Sequence, residues 1–186
     1  NFCTIDPNGL IVDRRANRIP SDESSQLISL FEQIQIPGAN VSTYPVQDHR
    51  FVLVIRGDAL DYHISETDPQ MIGKTPMEAI ALSLESEKTA SIVNKFISSA
   101  KNLLQSRNTA NMVLLRGFSK LPELPDFANN YKLNPAAIAA YPMYRGLAKL
   151  VGMDVLQTGI TFDDELITLN QHFMEYDFFF LHYKPA

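Results

Sequence analysis

Arginine placement is the strongest chemical signal in this sequence. Five of the eight arginines (Arg14, Arg15, Arg18, Arg50 and Arg56) fall within the first 56 residues. A guanidinium donates two parallel hydrogen bonds, which match the oxygens of a phosphate or a carboxylate. Arg14 and Arg15 point to opposite faces of an extended chain, so at most one of them addresses a given site. Arg56 closes the apolar run Val52-Leu53-Val54-Ile55 beside Gly57, where a rigid strand can carry a side chain to a cleft. Surface charge and protection of a sheet edge are the plain alternatives for any one of these arginines. His49-Arg50 opens the same run, and a histidine beside a cation can protonate a leaving oxygen or bind an anion. Asp68-Pro69 and Lys74 suit a sugar-phosphate type of ligand, or else a turn and a solvated amine. Residues 116–125, beginning Arg116-Gly117, suit an anion-binding loop after a strand or a proline-stiffened connection. Arg145 and Lys149 stand four apart on one expected helix, and Arg145 near its start opposes the helix dipole, which suits an anionic partner.

Other chemistries find little support. There is no Gly-rich phosphate loop, no Cys-x-x-Cys pair, no His-Glu-x-x-His pattern and no Gly-x-Ser-x-Gly elbow. Cys3 is the single cysteine, so an intrachain disulfide and a multi-thiolate zinc site are excluded, and a reducing, cytoplasmic setting follows. It reads as a small buried apolar residue rather than a nucleophile. His63, His172 and His182 stand apart from one another and read as packed or surface side chains. The formal net charge of −5, from 16 basic and 21 acidic residues, argues against nucleic acid as a partner. With 186 residues, 45% hydrophobic and 20% charged, the chain has the proportions of a soluble globular protein of one large domain or two small ones. No apolar run approaches the ~18 residues of a membrane helix, so no membrane partner is expected.

The elements that must position these residues divide into two styles. Residues 2–6 and 10–13 are short β runs around Pro7-Asn8-Gly9, a turn signal. Ser21 reads as the N-cap of a helix with Leu27, Leu30, Phe31 and Ile34 on one face, stopped at Pro37-Gly38. Strands follow at 41–46, 51–56 and about 60–64, the second buried on both faces because it lacks polar alternation. A polar loop spans 65–76. The long helix at 86–106 carries Ile92, Val93, Phe96, Ile97, Ala100, Leu103 and Leu104 at helical spacing. Beyond it, strands at 112–115, 136–140, 155–156 and 177–183 alternate with a helix opened by Pro142 and another at 164–175, which implies a mostly parallel sheet. The expected fold class is therefore mixed: an antiparallel α+β part with flanking helices over 1–108, then an α/β segment of βαβ elements over 109–186.

Taken together, several blocks resemble the archaeal-type cofactor-independent phosphoglycerate mutases. They are Asp13-Arg14-Arg15-Ala16-Asn17-Arg18-Ile19, the run from His49-Arg50 to Arg56-Gly57, Ser65-Glu66-Thr67-Asp68-Pro69-Gln70, Leu114-Leu115-Arg116-Gly117, residues 120–125, and the run from Tyr141-Pro142 to Gly152-Met153. They occur in family order and span almost the whole chain. The resemblance implies an alkaline-phosphatase-like core with an inserted, arginine-rich domain that holds the glycerate and the phosphate. It implies an isomerase that interconverts 3-phosphoglycerate and 2-phosphoglycerate through a serine nucleophile and two divalent metal ions, manganese or magnesium. It also implies that the nucleophile and the metal ligands lie outside residues 1–186, the chain stopping at Lys184-Pro185-Ala186 where the metal motif would begin. Residues 1–108 then form the inserted domain, and 109–186 its end with part of the core. No catalytic residue and no metal ligand is expected among these residues. Arg14, Arg15, Arg18, His49, Arg50, Arg56, Asp68, Lys74 and Arg145 match the pattern and are the substrate-side candidates. Three positions depart from it: Gln70 stands for a histidine, Glu66 for an aspartate and Asn17 for a glycine. Gln70 cannot act as acid or base, which keeps open a rival in which the chain is a non-catalytic binding or regulatory module.

Overall fold

The computed structural model of the chain describes residues 1–184, so Pro185 and Ala186 lie outside the described residues. Two units divide it, Asn1–Lys120 and the remainder from Leu121. In the first unit the elements run β1 (Phe2–Ile5), β2 (Ile11–Asp13), α1 (Ser21–Leu30), β3 (Asn40–Pro45), β4 (Phe51–Arg56), α2 (Glu87–Leu104) and β5 (Met112–Val113). Strand β1 lies between β2 and β5 and is antiparallel to both. The β1–β2 connection is the expected tight turn: the Asp6 carboxylate accepts the amides of Asn8 and Leu10, and Gly9 takes φ +80.

Helix α2 covers this sheet with the face its spacing marks out, burying Ile92, Val93, Phe96, Ala100 and Leu104. Four phenylalanines from different elements meet beneath it. Phe31 contacts Phe2, Phe51 and Phe96 at centroid separations of 5.8, 5.9 and 5.5 Å, and Phe2 lies 5.2 Å from Phe51. Such tilted and edge-on pairs add to plain area burial. They fix the start of β4, and hence His49-Arg50, against the start of β1.

Several local expectations are corrected. Residues 60–64 form no strand; Ile64 makes only an isolated bridge to Ala81. Strand β4 pairs with β3 alone among the described residues and is not buried on both faces. Phe51, Leu53 and Ile55 pack on the core while Val52 is 48% exposed, so an all-apolar run here coexists with one solvent face. Ser21 is the first helical residue of α1 rather than its cap, and its hydroxyl instead accepts the amide of Asp48. On α1, Ile28 is buried and Leu30 is exposed, and the helix ends at Leu30, ahead of Pro37-Gly38. The 112–115 run belongs to the antiparallel sheet of the first unit, because Phe2 and Cys3 pair with Val113 and Met112.

The second unit has α3 (Phe127–Tyr131), β6 (Pro135–Ala139), α4 (Pro142–Leu150), β7 (Asp154–Val155), α5 (Phe162–His172) and β8 (Phe178–His182). Its sheet is parallel, in the order β7-β6-β8. Every residue of β6 is buried, as a central parallel strand requires. Pro142 occupies the first turn of α4, and Gly152 just beyond it takes φ +79. Thr161 and Asp164 form a capping box, so α5 begins two residues earlier than its periodicity suggests.

Because Phe96 is fully buried at the aromatic junction, Phe96→Ala is expected to remove about 3–5 kcal/mol from the first unit. Urea unfolding followed by far-UV circular dichroism checks this; a midpoint unchanged from the parent would refute it.

Candidate functional site

Antiparallel pairing brings two distant arginines to one sheet edge. Strands β2 and β5 both run opposite to β1, so their carboxyl ends lie together near the start of β1. Arg14 follows β2 directly, and Arg116 follows β5 after the buried Leu114 and Leu115. The loop carrying Asp68 is fastened to the same edge by Thr67. The Thr67 amide donates to the Leu115 carbonyl (2.9 Å), and its hydroxyl oxygen accepts the Leu115 amide (2.8 Å).

Asp68 is the hub. Its side chain is 1% exposed, yet Arg14 donates to it through Nε (3.1 Å) and Nη2 (2.7 Å). The Gln70 amide donates to Oδ1 at 2.8 Å, and Arg116 Nη1 lies 3.5 Å from Oδ2. Burial alone would raise the carboxyl's pKa; the Arg14 bonds, the Gln70 amide and the Arg116 charge outweigh it and hold Asp68 below its ordinary range. Glu66 steadies the rim, with Oε2 3.8 Å from Arg116 Nε and Oε1 accepting the Gly117 amide.

His49 sits beside this cluster on the turn before β4. It is buried at 2% exposure, its carbonyl accepts the Phe2 amide (2.8 Å), and its Nδ1 has no hydrogen-bond partner among the described residues. Burial, then the charge of Arg50, with a smaller contribution from Arg15, pushes its pKa down to about 4. The ring is therefore neutral at pH 7 and is not a proton donor of the imidazolium kind. Arg50 stays partly exposed, 3.4 Å from Asp48. Cys3, fully buried beneath, has its thiol pushed up to about 12 by burial, which rules out a thiolate nucleophile.

The other candidates are placed differently. Arg15 and Arg18 are exposed on the turn after β2. Lys74 is exposed; its backbone carbonyl accepts the Ile11 amide, and its amine makes no hydrogen bond or ion pair among the described residues. Arg56 ends β4 at the opposite end from His49-Arg50, roughly 20 Å along a six-residue strand, so the structure does not gather it into the cluster. Arg145, on α4 of the second unit, donates to Gln157 (3.3 Å). Arg116 is absent from the candidate set read off the sequence, although it does occur in the 116–125 loop. Its signal is an arginine immediately after a fully apolar, buried strand. Among the described residues no three His, Cys, Asp or Glu side chains converge as a metal site would require. No described helix is long and apolar enough to cross a membrane.

The two titrations carry a definite sign. His49 folds with its pKa depressed from about 6.5 in the unfolded chain. Stability therefore falls as pH drops from about 6.5 towards 4, where the unfolded chain binds the proton and the folded one does not. The contribution of Asp68 is present above about pH 4 and is lost below it. Urea midpoints are expected to fall between pH 7 and pH 4.5, and His49→Gln is expected to flatten that fall; equal slopes for the two proteins would contradict the assignment.

Comparison with known proteins places the chain in a family. A family model described as 2,3-bisphosphoglycerate-independent phosphoglycerate mutase matches residues 1–110. A protein of Thermosipho melanesiensis named as a probable 2,3-bisphosphoglycerate-independent phosphoglycerate mutase is 44% identical over all of this chain and 46% of its own length. A protein of Thermus thermophilus with the same name is 41% identical over all of this chain and 47% of its own length. The chain thus spans about half the length of the curated relatives it matches. Among solved structures, the cofactor-independent phosphoglycerate mutase of Thermoplasma acidophilum superposes with a TM-score of 0.69 at 24% identity, over 97% of this chain and 52% of that one. A Pyrococcus horikoshii protein gives 0.70 at 19% identity, over 100% and 45%. Those two establish a shared fold, and the family match establishes membership: this chain belongs to the 2,3-bisphosphoglycerate-independent phosphoglycerate mutase family.

Proposed function

We propose that this chain is the substrate-handling part of a phosphoglycerate mutase that interconverts 3-phosphoglycerate and 2-phosphoglycerate in the cytoplasm. The observation that carries this is the pair Arg14 and Arg116 gathered on the buried Asp68. Asp68 engages Arg14 through Nε and Nη2 only, which leaves the remaining N–H groups of both guanidiniums for an external anion. A phosphoglycerate carries both a carboxylate and a phosphate, and forked donors held on a rigid edge suit both groups. The neutral His49, with an unpartnered Nδ1, lies buried at the start of the strand beside them, next to the partly exposed Arg50. Positioning of this kind is a large part of phosphoryl-transfer catalysis.

On this reading the first unit, through Lys120, corresponds to the inserted domain, and the βαβ elements that follow belong to the phosphatase-like core. The serine nucleophile, phosphorylated in the intermediate, and the ligands for divalent manganese or magnesium would come from the part of the full-length protein outside these residues. The partner is a small molecule, not nucleic acid or a membrane, and these 186 residues alone are catalytically silent.

In the full-length protein, Arg14→Ala and Arg116→Ala are each expected to raise KM for 3-phosphoglycerate by about 10–100-fold, the loss of one charged hydrogen-bonding group. Arg107→Ala, which removes a surface partner of Glu23, serves as the control with an unchanged KM. Unaltered kinetics in the first two variants would refute the assignment. For the 186-residue chain, titration with 3-phosphoglycerate is expected to shift the amides of Arg14, His49 and Arg116 without turnover in added manganese. Turnover by that chain would place the nucleophile inside it. Full-length protein that binds phosphoglycerate but never isomerises it would instead favour a regulatory module.

A further inference from the structure

The segment after β2 adopts a backbone that its residue types do not favour. Ala16, Asn17 and Arg18 have φ of 47°, 53° and 50°, three consecutive left-handed residues with no glycine among them. Clashes of Cβ with the backbone disfavour each one, and only Asn tolerates the region well. Something outside the segment must therefore hold it. The Arg15 carbonyl accepts the Arg18 amide (2.8 Å) and the Ala16 carbonyl accepts the Ile19 amide, which closes the turn. Ala16 is fully buried and Ile19 nearly so, which anchors it to the core. The remaining hold is one side chain. Asp13 Oδ1 accepts the amide of Arg15 (2.8 Å) and Oδ2 accepts that of Asn17 (2.5 Å). No other side chain among the described residues hydrogen-bonds the backbone of residues 14–18.

We propose that Asp13 is a positioning residue for the substrate: by clamping the 15–18 turn in its left-handed form, it sets where Arg15 and Arg18 present their guanidinium groups. This rests on the functional reading above. Asp68 immobilises Arg14 through its side chain, whereas Asp13 holds the backbone of Arg15 and Asn17 directly and that of Arg18 only through the turn, where the Arg18 amide donates to the Arg15 carbonyl. The difference follows from exposure: Arg15 and Arg18 are exposed, and neither guanidinium makes a hydrogen bond among the described residues, so the turn alone defines their origin. Substrate-anion affinity depends on keeping those origins fixed before the ligand arrives. Asn17 fits the same account. It stands where the family resemblance implies a glycine, and it is the residue type next best suited to positive φ.

The test uses the full-length protein, with KM and kcat for 3-phosphoglycerate and a thermal melt for each variant. Asp13→Ala is expected to raise KM about tenfold with kcat changed less than about threefold, the pattern of lost ground-state binding. Asp13→Asn, which keeps one acceptor, is expected to fall between. The decisive variant is the double mutant D13A/N17G. Glycine at 17 removes the conformational cost at the central of the three left-handed positions, so it is expected to recover part of the lost affinity, which a direct ligand contact by Asp13 would not allow. If Asp13→Ala melts below the assay temperature, Asn17→Ala carries the test with the carboxylate intact: KM rises about threefold, while Asn17→Gly leaves it unchanged. An unchanged KM in Asp13→Ala, a double mutant no better than the single, or an Asn17→Ala protein equal to wild type each overturns the proposal. Wild-type full-length protein without mutase turnover would overturn the functional reading and this proposal with it, whereas normal wild-type kinetics with an indifferent Asp13→Ala defeats this proposal alone.

Discussion

The buried carboxylate of Asp68 is the constraint on which the arginine surface depends. An ionised carboxylate withdrawn from water is costly unless charge and hydrogen bonds replace its hydration. Here Arg14 supplies two hydrogen bonds, the Gln70 amide a third, and Arg116 a nearby charge. The dependence runs both ways. Without Asp68, two guanidiniums at one edge would repel each other and spread into solvent. Without Arg14, Asp68 would be left as an under-compensated buried charge. The cluster therefore forms as a unit, and its geometry is settled before any ligand enters.

That unit is possible because of how β1 is flanked. Arg14 and Arg116 are separated by most of the first unit in sequence, and only an antiparallel neighbour on each side of β1 puts both strand exits at the same edge. The Thr67 bond pair with Leu115 then carries the Asp68 loop to the end of the strand that Arg116 leaves. The phenylalanine junction does the equivalent for His49-Arg50, because Phe51 and Phe2 pack in van der Waals contact while the Phe2 amide binds the His49 carbonyl. Core packing and site assembly use the same residues at this point, so mutations in the aromatic cluster reach the site through the backbone of the 46–50 turn.

Legibility in the sequence followed the range of the interaction. Helix α2, the β1–β2 turn, the Pro142 start and the parallel second sheet were readable because each is set by local spacing or by a single residue's backbone preference. Arg14, His49, Arg50 and Asp68 were marked out largely through resemblance to a family, and the structure places Arg14 on Asp68. The Asp68 hub was not, since nothing local says that a carboxylate at 68 meets arginines at 14 and 116. The exposed face of β4 was misjudged for a related reason: an all-apolar run signals two buried faces only when another strand or layer lies on each side, and that is a tertiary fact. Ser21 shows the limit of capping signals. A serine just before a helix can be recruited by a distant amide, here that of Asp48, and then the helix starts one residue sooner. Arg56 was singled out because it closes an apolar run beside Gly57; it stands at the far end of β4 from His49-Arg50, and no local signal says which end of a strand faces the arginine cluster.

Neutral His49 decides how the site's charge varies with pH. Guanidinium groups do not titrate in any physiological range, and the His49 imidazole, held near 4 by burial and by Arg50, stays uncharged well below neutrality. The positive field of Arg14, Arg15, Arg50 and Arg116 is therefore nearly constant from about pH 5 upward, and Asp68 is ionised throughout. A histidine free to charge would have strengthened the field just where a phosphate monoester, with its second pKa near 6, loses a negative charge. The two changes would have offset each other. With His49 silent, the charge of the arginine surface itself changes little over that range. Burial of one histidine thus removes a titration that would otherwise vary the charge beside Asp68 near neutrality.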